Sequence, residues 1–486
     1  MADAVTRTDL SSADRHDLVV VGGGIAGLVI ARDAARAGLR VVLLDASDHR
    51  GGMLRRGDLA GIPIDLGAES FATRTDGVAD LVADLPADAA LEIVSPAPGG
   101  AHLAALADGE VLHAPLPRRT VLGIPADPLA DDVVRILGDA AARRVADERH
   151  ADAPAAVTEE PTLADLVAQR CGPELVRRLV DPLCRSVYSA PADRLYLSRL
   201  HPALWEAYLT GGSLVAAAAT LARPERAGAA VAGIAGGMWR LADAVARDAE
   251  RHGARLVTAA SVVRATPASD GDDIAVELGS GGVFRGARVV IATGATAARR
   301  LLGGAPEETA PVRVVAALVH APALDHHPVG SGVIAAVDVP SAAKALTHVT
   351  AKWAWAAASV PAGQHVVRLS ARGADAPLSS PEDLAREIAL LTGVDVAAAD
   401  VLAVTSAEWT DAVASAPADD RELSALADRG IHFAGATVAG TGLASVVPHA
   451  RELARELVAR HGATHTSSPS DTSTAPDHPT TSRRIA

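Results

Sequence analysis

The sequence predicts an α/β protein with a doubly wound sheet domain, a mainly helical insertion and a second domain built on a mixed sheet. At the amino end, an apolar run over 18–21 leads through a glycine-rich turn into a helix-like stretch over 25–37, and a second apolar run ends at Asp45. This alternation is typical of a parallel α/β sheet. Mostly helical patterns follow over 76–220, and strand-like patterns then return at 254–266, 273–294, 311–321 and 365–373. A helix over 381–392 and a strand–turn–helix unit over 431–462 complete the pattern.

Length, charge and cysteine content exclude several classes of protein. The 486 residues suffice for two or three domains, and the formal net charge of −14 argues against a general nucleic-acid binder. Cys171 and Cys184 fit neither a disulfide framework nor a metal spacing, so we predict no metal site. Because the chain shows no signal-peptide pattern and no apolar run of membrane-spanning length, we expect a cytoplasmic protein, with weak contact to a membrane surface left open.

The glycine-rich turn has the spacing of a dinucleotide-binding motif. Gly22, Gly24 and Gly27 match G-x-G-x-x-G between a strand and a helix, and Asp45 ends the next strand. In this motif the first glycine makes the turn, the second lets the backbone approach the pyrophosphate, and the third lets the helix pack on the strand. The helix N-terminus attracts phosphate, and the acid can accept hydrogen bonds from ribose hydroxyls. The motif predicts a bound dinucleotide, which is either NAD or FAD.

Three further stretches favour FAD over NAD. The second glycine pair, Gly51 and Gly52, follows the acid with Arg55 behind it, and "IDLGAESF" comes at 64–71. At the far end, "FAGATVAGTGL" at 433–443 supplies another strand, glycine turn and helix. An NAD domain is usually one contiguous block, whereas FAD lies extended and needs the chain to return over the flavin. A helix beginning near Gly442 would aim its positive end at the flavin ring and stabilise the reduced, anionic form.

Several motifs, taken with the glycine turn, are shared with a known family. They include "GGMWRL" at 236–241, and further stretches at 65–74, 111–125, 176–204, 347–355 and 366–373. Together they resemble the flavin-containing amine oxidase superfamily and, within it, the protoporphyrinogen/coproporphyrinogen III oxidase family. The "VLGIP" and "AKW" stretches look more like the bacterial coproporphyrinogen branch. His102 points to the same branch, because it stands near the position where the protoporphyrinogen branch usually has an arginine.

The resemblance implies an FAD-binding Rossmann-like (doubly wound) domain with a helical insertion and a mixed-sheet substrate domain. We expect, in chain order, a disordered amino end (1–13), an FAD-binding domain in three pieces (14–78, 232–300 and 400–462), a helical insertion between the first two pieces (79–231), a substrate-binding sheet (301–399) and a disordered tail (463–486). The implied FAD contacts lie in the two glycine turns, the segments after the acid, two strand ends and a tryptophan: Gly22, Gly24, Ile25, Ala26, Gly27, Asp45, Ala46, Gly52, Met53, Leu54, Arg55, Gly67, Ala68, Glu69, Ser70, Val263, Thr293, Trp409, Gly435, Thr441, Gly442 and Leu443.

The resemblance also implies the activity, which is oxidation of coproporphyrinogen III to coproporphyrin III in haem biosynthesis, with O2 as acceptor and H2O2 as product. Flavin N5 would accept the hydride, and we assign no catalytic side chain. The substrate carries carboxylates around an apolar ring, so its pocket should pair an apolar slot with basic groups. The implied substrate contacts are Arg74, Tyr188 and Lys352, the last on an expected strand.

Other functions stay open at this point. They are oxidation of protoporphyrinogen IX, oxidation or desaturation of an amine or carotenoid, and non-catalytic binding of flavin or porphyrin as a partner of haem-pathway enzymes. Two departures from the family pattern keep them open, namely "ASAP" at 414–417 and Ala436 after Gly435. Only three Phe and three Tyr are present, which argues against an aromatic cage for an amine. The oligomeric state is open as well.

Overall fold

A computed structural model describes residues 15–466 except 108, 151–158, 189, 223–229, 268–272, 306–310, 372–375 and 412–419. The predicted disordered amino end, the tail beyond 466 and the "ASAP" stretch therefore lie outside the described residues, whereas 463–466, expected in the disordered tail, continue the last helix of the chain. The strands are β1 (Arg15–Val21), β2 (Val41–Leu44), β3 (Arg56–Leu59), β4 (Ile62–Asp65), β5 (Phe71–Ala72), β6 (Ile93–Val94), β7 (Ala101–Ala107), β8 (Glu110–Pro115), β9 (Thr120–Val121), β10 (Ile124–Pro125), β11 (Val231–Ile234), β12 (Arg255–Val257), β13 (Val262–Pro267), β14 (Ile274–Leu278), β15 (Val283–Ile291), β16 (Val312–His320), β17 (Gly332–Ala335), β18 (Ala343–His348), β19 (Gln364–Ala371), β20 (Val401–Trp409) and β21 (Ile431–Phe433).

The α-helices lie between these strands and at the carboxyl end. They are α1 (Ile25–Arg36), α2 (Gly77–Asp84), α3 (Asp131–Leu137), α4 (Asp139–Asp147), α5 (Leu163–Cys171), α6 (Pro173–Leu175), α7 (Asp181–Val187), α8 (Leu197–Leu200), α9 (Pro202–Gly211), α10 (Leu214–Leu221), α11 (Trp239–Arg251), α12 (Ala295–Leu301), α13 (Val349–Lys352), α14 (Ala354–Ala357), α15 (Pro381–Thr392), α16 (Asp420–Asp428), α17 (Ala436–Ala439) and α18 (Leu443–Thr466). Within the described residues, no helix combines the length and apolar character needed to cross a membrane.

The first sheet is the predicted doubly wound sheet. Its order is β12-β2-β1-β15-β14-β13, and β21 pairs with the carboxyl end of β15. Strand β1 pairs in parallel with both β2 and β15, which explains why its residues are buried on both faces. Helices α1, α11 and α18 pack on one face of this sheet, so segments from both ends of the chain share one apolar core. The stretch 254–266 forms two strands rather than one, since a turn separates β12 from β13.

The second sheet is mixed and runs β20-β16-β19-β18-β17-β7-β8. Three of its strands lie outside the limits expected for the substrate-binding sheet. Strand β20 was expected in the FAD-binding part but pairs with β16 over its whole length, and strands β7 and β8 extend the sheet from within the insertion that was expected to be mainly helical. Pairing of β20 with β16 and of β7 with β17, over long sequence separations, brings these three strands into the sheet. One face of this sheet and the helices of the insertion bury a common core.

Candidate cofactor and substrate site

The turn after β1 has two kinds of glycine. At Gly22, φ is +110°, and a Cβ at Gly27 would lie 2.0 Å from the Gly22 carbonyl oxygen, so both positions are closed to a side chain. A Cβ at Gly24 would meet nothing within 4 Å. The protein therefore leaves one side of the turn open at the position where the motif needs its closest approach to a ligand.

Helix α1 begins beside this open side without a cap. Gly24 is its N-cap residue, no side chain accepts a hydrogen bond from the first turn, and no acidic residue stands there. The first N–H groups of a helix have no partner within the helix, and they carry a partial positive charge. An open glycine and an uncapped helix of 12 residues fit the pyrophosphate of a dinucleotide.

Asp45 lies at the end of β2, close to the same turn. Its carboxylate accepts a hydrogen bond from the Gly23 N–H and another, at 2.7 Å, from the Ser47 N–H. A carboxylate has about four acceptor positions, so two remain for the hydroxyls of a ribose. Asp45 thus holds the turn together and can contact the ligand, and Ala46 follows it directly.

The second glycine pair packs against the first turn. The Gly51 N–H donates to the Gly23 carbonyl at 2.8 Å, and a Cβ at Gly52 would lie 3.0 Å from the Gly24 Cα. Met53, which is 42% exposed, is bonded to the next segment, because its carbonyl accepts from the Ala68 N–H at 2.8 Å.

The segment around Gly67 packs against Met53 so closely that position 67 has no room for a side chain. A Cβ at Gly67 would fall 1.8 Å from the Met53 carbonyl oxygen. Arg55 joins the same layer, since its carbonyl accepts from the Leu66 N–H at 3.0 Å, and Leu54 is buried. The segments that carry Met53, Leu54, Arg55, Gly67 and Ala68 therefore form one layer beside the dinucleotide turn.

The carboxyl-terminal turn returns to the amino-terminal glycines, as the FAD interpretation requires. A Cβ at Gly435 would lie 3.7 Å from the Ala26 Cβ, and the Ala434 N–H donates to the Ile291 carbonyl at 3.0 Å. On the neighbouring strand end, the Thr293 methyl would lie 3.1 Å from a Cβ at Gly22. These contacts join both ends of the chain at one site.

Helix α18 begins where the sequence predicted. Gly442 adopts φ of +93°, and its carbonyl accepts the first helical hydrogen bonds from Ser445 and Val446, each at 3.1 Å. Leu443 is the first helical residue, and Thr441 precedes the turn. Ala436 opens the short helix α17 between the two glycine turns.

Arg74 lies beside the first turn of α18. The Arg74 guanidinium is exposed and donates to the Ser445 hydroxyl, and the Thr75 hydroxyl donates to the Ala444 carbonyl at 2.9 Å. Burial raises the pKa of the Tyr188 phenol, and the positive charge of Arg74 opposes that rise, which places the two side chains within electrostatic reach. The structure therefore brings Arg74 to the end of the helix expected to face the flavin, with Tyr188 within electrostatic reach of Arg74.

The third predicted substrate residue, Lys352, lies elsewhere. It ends the short helix α13 and not a strand, because β18 stops at His348. Its ammonium donates to Glu69 Oε1 at 2.6 Å, and the charge of Lys352, followed by that of Arg368, lowers the pKa of Glu69 against the opposing effect of burial. The ammonium of Lys352 is thus engaged with Glu69, in the segment after Gly67. A substrate contact of Lys352 stays a prediction.

Asp65 connects the same segment to the "GGMWRL" motif. Its buried carboxylate accepts from the Met238 N–H at 2.9 Å and from the Trp239 N–H at 3.1 Å, and so caps the N-terminus of α11. Burial raises its pKa to about 6, although both hydrogen bonds act in the opposite direction.

The remaining predicted FAD contacts are Val263, Trp409 and Ser70. Val263 lies at a bulge in β13 with its side chain 53% exposed, shortly after Ala260, whose N–H donates to the Asp45 carbonyl at 2.7 Å. The Trp409 indole N–H donates to the Leu66 carbonyl at 3.0 Å, and Ser70 follows Glu69. Among the described residues, no cluster of His, Cys, Asp or Glu could hold a metal ion.

Sequence reasoning missed two residues of this region. Arg368 donates to the Gly67 carbonyl, and Ser445 receives Arg74. A charged residue within the apolar strand β19 was a usable signal for Arg368, because such residues are seldom buried without a partner. Nothing local marked Ser445, since its role depends on where Arg74 lies.

Known proteins are similar to this chain in sequence and in fold. The family model of flavin containing amine oxidoreductases matches residues 25–459. Coproporphyrinogen III oxidase of Mycobacterium tuberculosis (strain ATCC 25618 / H37Rv) is 32% identical over 346 residues, covering 69% of this chain and 73% of that protein. The protein of the same name from Mycobacterium leprae (strain TN) is 31% identical over 409 residues, covering 81% and 86%.

A solved structure confirms the predicted fold class. The Exiguobacterium sp. 255-15 protein assigned as a protoporphyrinogen oxidase superposes with a TM-score of 0.74 at 21% identity, covering 93% of this chain and all of that one. A flavin carried on a dinucleotide-binding turn is FAD, which confirms the predicted cofactor. The chain belongs to the flavin-containing amine oxidoreductase family, in the group that includes the coproporphyrinogen III oxidases.

Proposed function

We propose that the protein is an FAD-dependent oxidase that converts coproporphyrinogen III to coproporphyrin III. The porphyrinogen loses six hydrogen atoms in three two-electron steps, and three O2 molecules accept them to give three H2O2. The names of the two mycobacterial relatives support this substrate. The low count of Phe and Tyr continues to disfavour an amine cage.

The observation that carries the proposal is the position of Arg74. Its exposed guanidinium donates to Ser445 in the first turn of α18, next to the terminal glycine turn, and Tyr188 lies within electrostatic reach of it. A net charge of −14 repels a substrate with several carboxylates, so binding needs a local cation. A guanidinium can hold a carboxylate through two parallel hydrogen bonds, which also orients the ring.

The protein's contribution to the reaction is binding and orientation. Gly24 and Asp45 would hold FAD, which when bound would supply hydride acceptance and reaction with O2. The N-terminus of α18 presents positive charge towards the region of Thr441 and Gly442, where negative charge on a reduced flavin would be stabilised. Holding the macrocycle against the acceptor would then provide much of the rate enhancement.

Parallel turnover assays test the proposed substrate. The purified FAD protein should form fluorescent coproporphyrin and peroxide from coproporphyrinogen III, with a higher kcat/KM than from protoporphyrinogen IX. Higher kcat/KM for protoporphyrinogen IX would transfer the proposal to that substrate. A flavin that stays oxidised when either porphyrinogen is added without oxygen would rule out the oxidase and leave a binding protein.

Replacing Arg74 tests the substrate-binding surface. In Arg74→Ala, we expect KM for coproporphyrinogen to rise about tenfold, or about 1.4 kcal/mol, while FAD stays bound. Arg143→Ala, which removes another exposed arginine from α4 in the insertion, is the matched control and should behave as wild type. Unchanged kinetics in Arg74→Ala would show that the substrate carboxylates bind elsewhere.

A further inference from the structure

Three side chains from the second sheet and its connections hold one short segment of the cofactor layer. The Trp409 indole N–H donates to the Leu66 carbonyl at 3.0 Å, and Arg368 donates to the Gly67 carbonyl. Lys352 binds the side chain of Glu69 at 2.6 Å. The segment 66–69 is therefore positioned from the substrate side of the molecule, although its own neighbours in sequence belong to the FAD-binding side.

Glu69 is the centre of a buried ion cluster. Its side chain is 14% exposed, and those of Lys352 and Arg368 are 13% and 12% exposed. Arg368 Nη1 lies 3.4 Å from Glu69 Oε2, within ion-pair distance but without hydrogen-bond geometry, so Lys352 supplies the one direct hydrogen bond that this carboxylate receives among the described residues. Removing one partner of a buried ion pair leaves the other charge uncompensated, which is strongly destabilising for the local structure.

The surroundings of Lys352 argue against a direct substrate contact. Its ammonium is directed at Glu69 and lies 5.1 Å from the centre of the Trp353 ring. Its backbone carbonyl accepts from the Ala97 N–H at 2.8 Å, which fixes the end of α13. A substrate carboxylate would have to displace Glu69 inside a largely buried site to reach this ammonium.

We propose that Lys352 is a positioning residue, which acts through Glu69 to hold the segment 66–69 in the conformation that binds FAD. The inference rests on the proposed function only in taking this segment as part of the flavin site. It gives Lys352 a role in cofactor binding in place of the role in substrate binding that the sequence suggested. It also makes FAD affinity depend on a residue more than 280 positions away from that segment.

FAD titration of the cofactor-free protein tests this role without any porphyrinogen. We expect Lys352→Met and Glu69→Gln each to raise the FAD dissociation constant about tenfold or more and to alter the visible absorption band of the bound flavin. Because both substitutions break one ion pair, the double variant should bind FAD no more weakly than the weaker single variant. Lys352→Arg, which keeps the charge, should restore most of the affinity.

Lys344→Met is the matched control. Lys344 is the only other lysine of the chain and lies near the start of β18, whereas Lys352 lies in α13 beyond the end of that strand, so the loss of Lys344 should leave FAD affinity unchanged. Unfolding of each cofactor-free variant separates a local effect from a general loss of stability.

Two results would overturn the proposal. One is Lys352→Met with wild-type FAD affinity and a wild-type flavin spectrum, which would show that Lys352 does not act on the flavin site. The other is a double variant whose loss of FAD affinity equals the product of the two single losses, which would show that Lys352 and Glu69 act independently. Since the titration contains no porphyrinogen, failure of the proposed oxidase activity would leave both results interpretable.

Discussion

The two glycines Gly24 and Gly27 should fail in opposite ways when each is replaced by alanine. A Cβ at Gly24 would meet nothing within 4 Å, so Gly24→Ala should fold like wild type. The loss of a glycine N-cap should reduce the free energy of unfolding by no more than about 1 kcal/mol. The new methyl group would, however, occupy the open side of the turn, where the pyrophosphate must approach. We expect FAD affinity to fall at least tenfold, or about 1.4 kcal/mol.

Gly27→Ala should instead damage the fold. Its Cβ would lie 2.0 Å from the Gly22 carbonyl oxygen, whereas ordinary contacts begin near 3.4 Å, so helix α1 and the turn must move apart by about 1.4 Å. Such overpacking in a buried position typically costs about 1–3 kcal/mol. The cofactor-free variant should therefore unfold at a clearly lower denaturant concentration than Gly24→Ala.

Urea unfolding of the cofactor-free proteins and FAD titration of each variant measure the two effects separately. The reasoning fails if Gly24→Ala binds FAD as wild type does, because the open side of the turn would then not face the cofactor. It also fails if Gly27→Ala is as stable as wild type, since the close packing of α1 on the turn would then have no energetic consequence.

Two further predictions concern buried charges. Arg32, which is 1% exposed, pairs with the buried Asp248, so Arg32→Met should lower the free energy of unfolding by about 3–5 kcal/mol. Arg36 is exposed, so the control Arg36→Met should change the free energy of unfolding by only about 0–1 kcal/mol. Equal effects of the two substitutions in urea unfolding would contradict this prediction. Asp65 has a folded-state pKa of about 6, above its unfolded value of 3.8, so the folded protein binds the extra proton and this group's contribution to stability falls as pH rises from about 4 to 6. Subtracting the stability of Asp65→Asn from that of wild type at each pH should isolate this decline, and a flat difference would show that the carboxyl titrates normally.

The sequence predicted those parts of the site that are local in the chain. The unit from the first strand to Asp45 was correct in its strands and helix and in the close packing at Gly22 and Gly27, because turn geometry depends on residues a few positions apart. The approach of Gly24 to the pyrophosphate stays a prediction. The helix over 381–392 was also correct to the residue. The expected strand around Lys352 was wrong, since β18 ends at His348 and its apolar pattern continues into a short helix.

The composition and motifs of this chain were thus enough to determine its fold class, its cofactor and its family. Tertiary structure alone decided that β20 joins the second sheet and that Arg74 reaches Ser445. It also decided that Lys352 faces Glu69. The physical reason is that these contacts depend on the pairing register of strands far apart in sequence, which hydrophobic periodicity within one strand does not specify.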